Sequence, residues 1–130
     1  MRLINAIAGA SFLLTSVAAV AAVDHEADLQ KMLGKRVEAG PSVDCLNVSQ
    51  ITNSYIVDGT AILYEVAGGD IYVNRPKTNA SSLSRHQVLV TDTHIPQLCS
   101  VDTVTLLDGT TGIQTGFVGL GEFVPYKRSH

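Results

Sequence analysis

The arrangement of apolar and polar residues divides the chain into three parts. Residues 3–20 contain no charged residue. In residues 24–33, Leu29, Met32 and Leu33 stand at helical spacing. From residue 51 onward apolar and polar positions follow a period of two, which is typical of half-buried strands. The pattern therefore predicts an apolar leader, one short helix and then a series of strands.

The leader has the features of a secretory signal peptide. Arg2 precedes the apolar stretch, which ends in the small residues of 18–22, so cleavage is expected after Ala21 or Ala22. An uncleaved membrane anchor is the alternative, because about 18 apolar residues lie near the lower limit for a spanning helix. Removal of residues 1–21 would leave a soluble periplasmic or secreted protein.

A short helix and a linker are predicted to follow. Acidic residues stand early in residues 24–33 and Lys31 stands late, which complements the helix dipole, and Gly34 is suited to end the helix. Residues 35–44, with Gly40, Pro41 and Ser42, read as a linker. The predicted organisation is a signal peptide at 1–21, a short helix and linker at 22–42, and a β-rich domain at 43–130.

The remaining chain predicts a mainly β fold. Asp58-Gly59 is typical of a hairpin with a type I′ turn, and residues 67–69 predict a second reversal, so the first three strands form a meander. Glycines at 112, 116, 119 and 121 predict bulges or tight bends, and residues 123–126 are expected to cover the core. The fold expected is a small antiparallel meander or partly open barrel of about six strands. The predicted strands are residues 51–57, 60–66, 70–74, 87–92, 102–107 and 113–118.

Composition limits the class of protein further. The chain has 130 residues, of which 45% are apolar and 16% charged, so it can form one modest core. Its formal net charge is −3 and it contains no cluster of basic residues. These values argue against a two-domain enzyme and against nucleic acid as a partner.

The cysteine content predicts one structural disulfide. Cys45 and Cys99 both lie in the exported part of the chain, where an oxidising compartment favours pairing. Free cysteines, buried or reactive, are the alternative, but the close Cys-x-x-Cys spacing of redox-active pairs is missing. A bond between them would remove about 4 kcal/mol of conformational freedom from the unfolded chain.

Residues suited to catalysis or metal binding do not form a recognisable pattern. His86, Asp92 and His94 share one face of a continuous strand, but six residues at about 3.3 Å each separate His86 from Asp92 by roughly 20 Å. A hydrolase would use Ser84 and His86 with an acid from Asp70, Asp92 or Asp102, yet the Gly-x-Ser-x-Gly elbow is absent. No catalytic residue, cofactor or metal site is therefore predicted. Four tyrosines could line a binding face, although half-buried packing on a sheet is the more ordinary role: Tyr55, Tyr64, Tyr72 and Tyr126.

Four short segments carry a family resemblance. They are Cys45-Leu46-Asn47, Tyr72-Val73-Asn74, Gln97-Leu98-Cys99-Ser100-Val101-Asp102 and Leu120-Gly121-Glu122-Phe123-Val124-Pro125-Tyr126. Over residues 43–126 the chain resembles a family of short exported proteobacterial proteins known only as a domain of unknown function. The resemblance implies a small β-rich envelope domain with no assigned reaction or ligand. Members often have a second cysteine pair near the positions of Ala80 and Val118, which would leave Cys45 and Cys99 as the covalent tie in this chain.

These observations favour an exported, non-enzymatic binding or accessory module of the cell envelope. Its partner would be an envelope protein or a small ligand of unknown identity. One alternative is a small hydrolase that uses Ser84 and His86. Another is a structural envelope protein that associates through its edge strands or its N-terminal helix.

Overall fold

The computed structural model describes residues 24–128 and shows a mainly β protein with antiparallel sheets and one short α-helix. The predicted fold class is confirmed, and the predicted signal peptide at residues 1–21 lies outside the described residues. None of the helices within residues 24–128 combines the length and apolar character that crossing a bilayer requires.

In chain order the elements are α1 (His25–Leu33), β1 (Arg36–Glu38), β2 (Cys45–Asn47), a 3-10 turn (Val48–Gln50), β3 (Ile51–Val57), β4 (Ala61–Val66), β5 (Ile71–Asn74), a second 3-10 turn (Ala80–Ser82), β6 (Gln87–Thr91), β7 (Gln97–Cys99), β8 (Thr103–Asp108), β9 (Gln114–Gly119) and β10 (Phe123–Arg128).

The strands of residues 24–128 form three sheets. The largest has the order β1-β10-β5-β4-β3, a second has the order β6-β8-β9, and β2 pairs with β7 in a two-stranded ribbon. The sheets do not close into a barrel, because β3 and β6 are edge strands that are not hydrogen-bonded to each other. The architecture is therefore an open assembly of sheets rather than a cylinder.

The predicted meander is present as β3, β4 and β5, which are neighbours in the large sheet. The first turn differs from the expected type. A type I′ turn needs positive φ at both central residues, whereas Gly59 has φ of 62° and Asp58 is not in that region. Val57 pairs with Ala61, so three residues form the loop, and the Thr60 N–H donates to the Val57 carbonyl at 3.0 Å.

Strand β4 is buried on both faces because it lies between two cores. Ala61 and Leu63 pack in a cluster with Leu29 and Leu33 of α1. Ile62 and Tyr64 point to the other face and belong to the cluster that the second sheet and the ribbon complete. The alternation of strand side chains thus divides one continuous apolar run between two layers.

Helix α1 forms as its sequence predicts. Asp24 caps the N-terminus by accepting the Glu26 N–H at 3.1 Å, and Gly34 ends the helix with φ of 64°. Leu29 and Leu33 are each 1% exposed against the large sheet. Met32, which was expected on the same inner face, is 38% exposed and lies at the edge of the sheet instead.

Four strands were not predicted as strands: β1, β2, β7 and β10. The expected linker at residues 35–44 contains β1, which pairs with the end of β10, so this segment belongs to the large sheet. The segment 123–126 does cover the core, as part of β10. Pro125 is compatible with that position because it faces Ala39, just beyond the last residue of β1, where the Ala39 N–H donates to the Pro125 carbonyl at 2.9 Å. A missing proline N–H therefore costs no bond within the ladder.

The glycine-rich end contains a bulge and a tight bend, as its glycines predict. The pairing of β8 with β9 shifts by one residue at Thr115, which is a β-bulge. At Gly121, a side chain would collide with the Arg75 carbonyl, so only glycine allows this approach. The fully buried Asn74 uses that closeness: its amide donates to the Gly121 carbonyl at 2.7 Å and its oxygen accepts the Gly121 N–H at 2.9 Å.

Candidate functional site

The predicted disulfide is present. Cys45 and Cys99 are bonded across the ribbon, where they form a directly opposed pair next to the buried pair Leu46 and Leu98. Asp102, one of the acids considered for catalysis, accepts the Cys99 N–H at 2.7 Å. The hydrogen bond from Cys99 to the Asp102 carboxylate therefore supports the backbone of the ribbon.

Ser84 and His86 do not form a nucleophile and base in this structure. The hydrogen bond that joins them, 3.4 Å long, runs from the backbone N–H of His86 to Ser84 Oγ, and the side chain of His86 is exposed. The imidazole would have to be the partner of Ser84 in a hydrolytic dyad. The carboxylate of Asp108 accepts the Thr111 and Thr110 N–H groups, and these bonds lower the pKa of Asp108.

Metal-ligating side chains are dispersed over the described chain. Within residues 24–128 no three His, Cys, Asp or Glu side chains come close enough to hold a metal ion together. Asp92 and His94 both follow the end of β6, whereas His86 precedes that strand.

A groove of about 640 Å³ follows the edge of β3. Helix α1 forms one wall and β6, with the residue Arg85 before it, forms the other. The lining residues are Asp28, Lys31 and Met32 of α1, Ser54, Tyr55, Ile56, Val57 and Asp58 of β3 and its turn, and Arg85, Gln87, Val88 and Leu89. We name this feature the β3 groove.

Both faces of β3 contribute to the β3 groove. Tyr55 is paired in register with Leu63 and so shares the face covered by α1, whereas Ser54 is paired with Tyr64 and faces the second sheet. Tyr55 and Val88, which are 37% and 51% exposed, offer apolar surface on the two sides. The edge of the strand itself is therefore the floor of the groove.

The backbone along this floor has open hydrogen-bonding positions. Strand β3 has seven residues and pairs with β4 on one side, and within residues 24–128 no strand pairs with its other side. In an antiparallel pair, alternate residues direct their N–H and C=O groups away from the partner. Among the described strands, β6 across the groove is likewise paired with β8 alone. Two strand edges thus border one groove.

Charged groups of both signs flank the groove. On the α1 wall, Asp28 lies 3.5 Å from His25 Nδ1, and Lys31 stands one turn further along the helix. On the other wall, Asp58 accepts the Arg85 N–H at 2.6 Å and its carboxylate lies 4.0 Å from Arg85 Nε. The groove therefore has an apolar middle with mixed charges at its margins.

A smaller recess of about 180 Å³ continues from the groove, with which it shares Ser54 and Leu89. Tyr64 forms part of its lining, and the ring of Tyr64 contacts Phe123 edge to face at 5.7 Å. The Tyr64 hydroxyl is buried without a hydrogen-bond partner, and burial raises the pKa of Tyr64. The recess is lined by Val48, Ile51, Ser54, Tyr64, Leu89, Thr91 and Leu98.

Of the four tyrosines considered for a binding face, two line these cavities: Tyr55 the groove and Tyr64 the recess. Tyr72 and Tyr126 are half-buried and pack against the two cores. The sequence alone did not indicate the groove, because it is formed by residues from 28 to 89 that only the strand order brings together. The one local signal was the long β3 pattern without proline or lysine at its edge.

Comparisons with protein-family models, with curated proteins and with solved structures found no match to this chain. The resemblance to a family of exported proteobacterial proteins therefore stays an expectation.

Proposed function

We propose that the protein is an exported, non-enzymatic binding module whose β3 groove holds an extended polypeptide segment of an envelope partner. The bound segment adds to the large sheet as a strand next to β3. The observation that carries this proposal is the seven-residue edge of β3, which no strand within residues 24–128 pairs and which lies at the floor of a groove between α1 and β6.

A polypeptide is the occupant that best matches the groove. An open strand edge presents donors and acceptors at the repeat of a β-strand, which another strand satisfies along its whole length. The side chains of such a strand alternate between faces. One set would contact Met32 and Tyr55 on the α1 side, and the other would contact Val88 and the recess. The groove volume lies within the roughly 300–1,000 Å³ range of small-molecule sites, so the volume alone would also suit a small molecule. The open strand edge is the feature that favours a polypeptide.

Export is the second part of the proposal. Removal of the leader in residues 1–21 would place the protein in the periplasm or outside the cell, where the Cys45–Cys99 disulfide is stable. The intact mass of the native protein should correspond to a chain that begins at Ala22 or Val23. A protein that retains Met1 in the membrane fraction would contradict this part.

Peptide binding can be tested with a library of capped eight-residue peptides in which one position at a time is fixed. Peptides selected from the library should shift the backbone amide NMR signals of residues 52–56. Methylation of alternate peptide nitrogens should then abolish binding at one set of positions and leave it intact at the other set, because only alternate N–H groups face β3. Equal effects at all positions, or no binding peptide, would contradict strand addition.

A matched pair of variants tests the location. Val88→Lys replaces an exposed valine of the groove wall, and burial of that valine is worth about 1 kcal/mol, so peptide affinity should fall about five- to tenfold. Val37→Lys is the control, because Val37 is 52% exposed on the edge strand β1 at the other end of the sheet. Equal losses in both variants would place binding outside the groove. A stable dimer of the protein that blocks peptide binding would make a second copy the occupant and overturn the proposal.

A further inference from the structure

The Tyr64 hydroxyl is a polar group that the fold leaves without a partner. Tyr64 is 3% exposed, and its oxygen makes no hydrogen bond in the structure. Native proteins leave few buried polar groups unpaired, because each such group forfeits its hydration without compensation. Tyr64 thus combines an unpaired buried hydroxyl with a place in the lining of the recess beside the β3 groove.

The recess is of the size of a side chain and is bordered by the edge that would hold a bound strand. Its volume of about 180 Å³ is below the roughly 300–1,000 Å³ of typical small-molecule sites. It shares Ser54 with the groove, and Ser54 faces the second sheet. A strand paired with β3 directs alternate side chains to that same face. One of these side chains is therefore placed at the mouth of the recess.

The lining specifies an uncharged occupant with polar atoms at its end. Four aliphatic residues and three hydroxyl-bearing residues form the recess, and none of them is charged. The Tyr64 hydroxyl is itself desolvated, and this burial raises the pKa of Tyr64. An ionised side chain would therefore lose its hydration here without gaining a counter-charge.

We propose that the recess is a specificity pocket for a carboxamide side chain, Gln or Asn, of the bound segment. The Tyr64 hydroxyl donates to the side-chain carbonyl of the ligand, and the Ser54 and Thr91 hydroxyls at the recess accept from its amide nitrogen. Solvent does not reach the Tyr64 oxygen in the free protein, so β3 and β6 must separate slightly for entry. They belong to different sheets without hydrogen bonds between them. This inference rests on the proposed function.

The test uses the fixed-position peptides and the variant Tyr64→Phe. Peptides with Gln or Asn at one position should bind about tenfold more tightly than those with Leu or Glu there, and Tyr64→Phe should abolish the preference over Leu. Tyr126→Phe, which removes a hydroxyl outside both cavities, should retain it. In the free protein Tyr64→Phe should not lower the urea midpoint, because no hydrogen bond is lost.

The outcomes separate the two proposals. Absence of any binding peptide contradicts the proposed function. Peptides that bind without a carboxamide preference, or whose preference survives in Tyr64→Phe, leave strand addition intact and overturn the specificity pocket. A lower urea midpoint for Tyr64→Phe would show that the hydroxyl already has a partner in the free protein, which also overturns this inference.

Discussion

Replacement of Asn74 by Ala should destabilise the protein more than any surface change. Asn74 is fully buried at the end of β5, and its side chain makes two hydrogen bonds with the backbone of Gly121, of 2.7 and 2.9 Å. Alanine removes both bonds and leaves the N–H and C=O of Gly121 without these partners. The bend between β9 and β10 would then no longer be tied to β5.

The size of the effect follows from the number of polar groups left unpaired. Each buried group that loses its partner costs about 1–3 kcal/mol, so two groups give about 2–6 kcal/mol for Asn74→Ala. Typical stabilities are about 5–15 kcal/mol, so the variant should unfold at a much lower denaturant concentration than the parent protein. Asn53→Ala, on the exposed part of β3, is the control and should change stability by less than about 0.5 kcal/mol.

Urea unfolding followed by circular dichroism measures the difference directly. A loss below about 1 kcal/mol for Asn74→Ala would refute the reasoning, because it would mean that Gly121 finds other partners at little cost. Asn74→Asp adds a pH test. Only a protonated carboxyl can donate to the Gly121 carbonyl, so folding raises the pKa of the new group. Its stability should be greatest below the unfolded pKa of about 3.9 and should fall as the pH rises through the folded pKa.

Two further predictions concern the disulfide and one ion pair. Replacement of both Cys45 and Cys99 by Ala should lower the free energy of unfolding by about 4 kcal/mol, because the bond closes a loop across 54 positions. Reduction of the parent protein should give a similar loss in urea unfolding. An unchanged urea midpoint would count against a structural crosslink. Glu26 accepts two hydrogen bonds from Arg75, of 2.8 and 2.9 Å, which lower the pKa of Glu26. Both side chains are about half exposed, so Glu26→Gln should cost at most about 1 kcal/mol at neutral pH. That stabilisation is present above the unfolded pKa of Glu26 and should vanish as the pH falls through the lower folded pKa, and a pH-independent difference in the midpoint of urea unfolding would rule it out.

Local patterns in the sequence predicted those parts of the fold that local interactions determine. Helix α1 and the meander of β3, β4 and β5 have caps, turns and periodicities within a few residues of each element. The disulfide followed from the presence of only two cysteines. The turn at Asp58 shows the limit of such patterns, because the loop between β3 and β4 holds three residues and only Gly59 takes positive φ.

The parts that were missed depend on contacts between distant residues. Strands β1, β2 and β7 have three residues each, too few to show a period. Strand β10 was not predicted because it contains Pro125, which has no N–H to donate. Nothing in the sequence shows that Pro125 faces a residue beyond the end of β1, where no bond of the ladder is lost. The β3 groove depends on the order of strands in two sheets, and the tie between Asn74 and Gly121 spans 47 positions. The contact between Asn74 and Gly121 has no signal in a single sequence, and the only local sign of the groove is the long β3 pattern without proline or lysine.

The Cys45–Cys99 bond has a consequence for limited proteolysis. The covalent ring that it closes contains both β3 and β6, and the exposed Lys77 and Arg85 lie on the chain between them. A trypsin cut after either residue would sever the peptide backbone while the two fragments stayed attached to each other as one molecule. They would migrate apart in electrophoresis only after a reductant had been added.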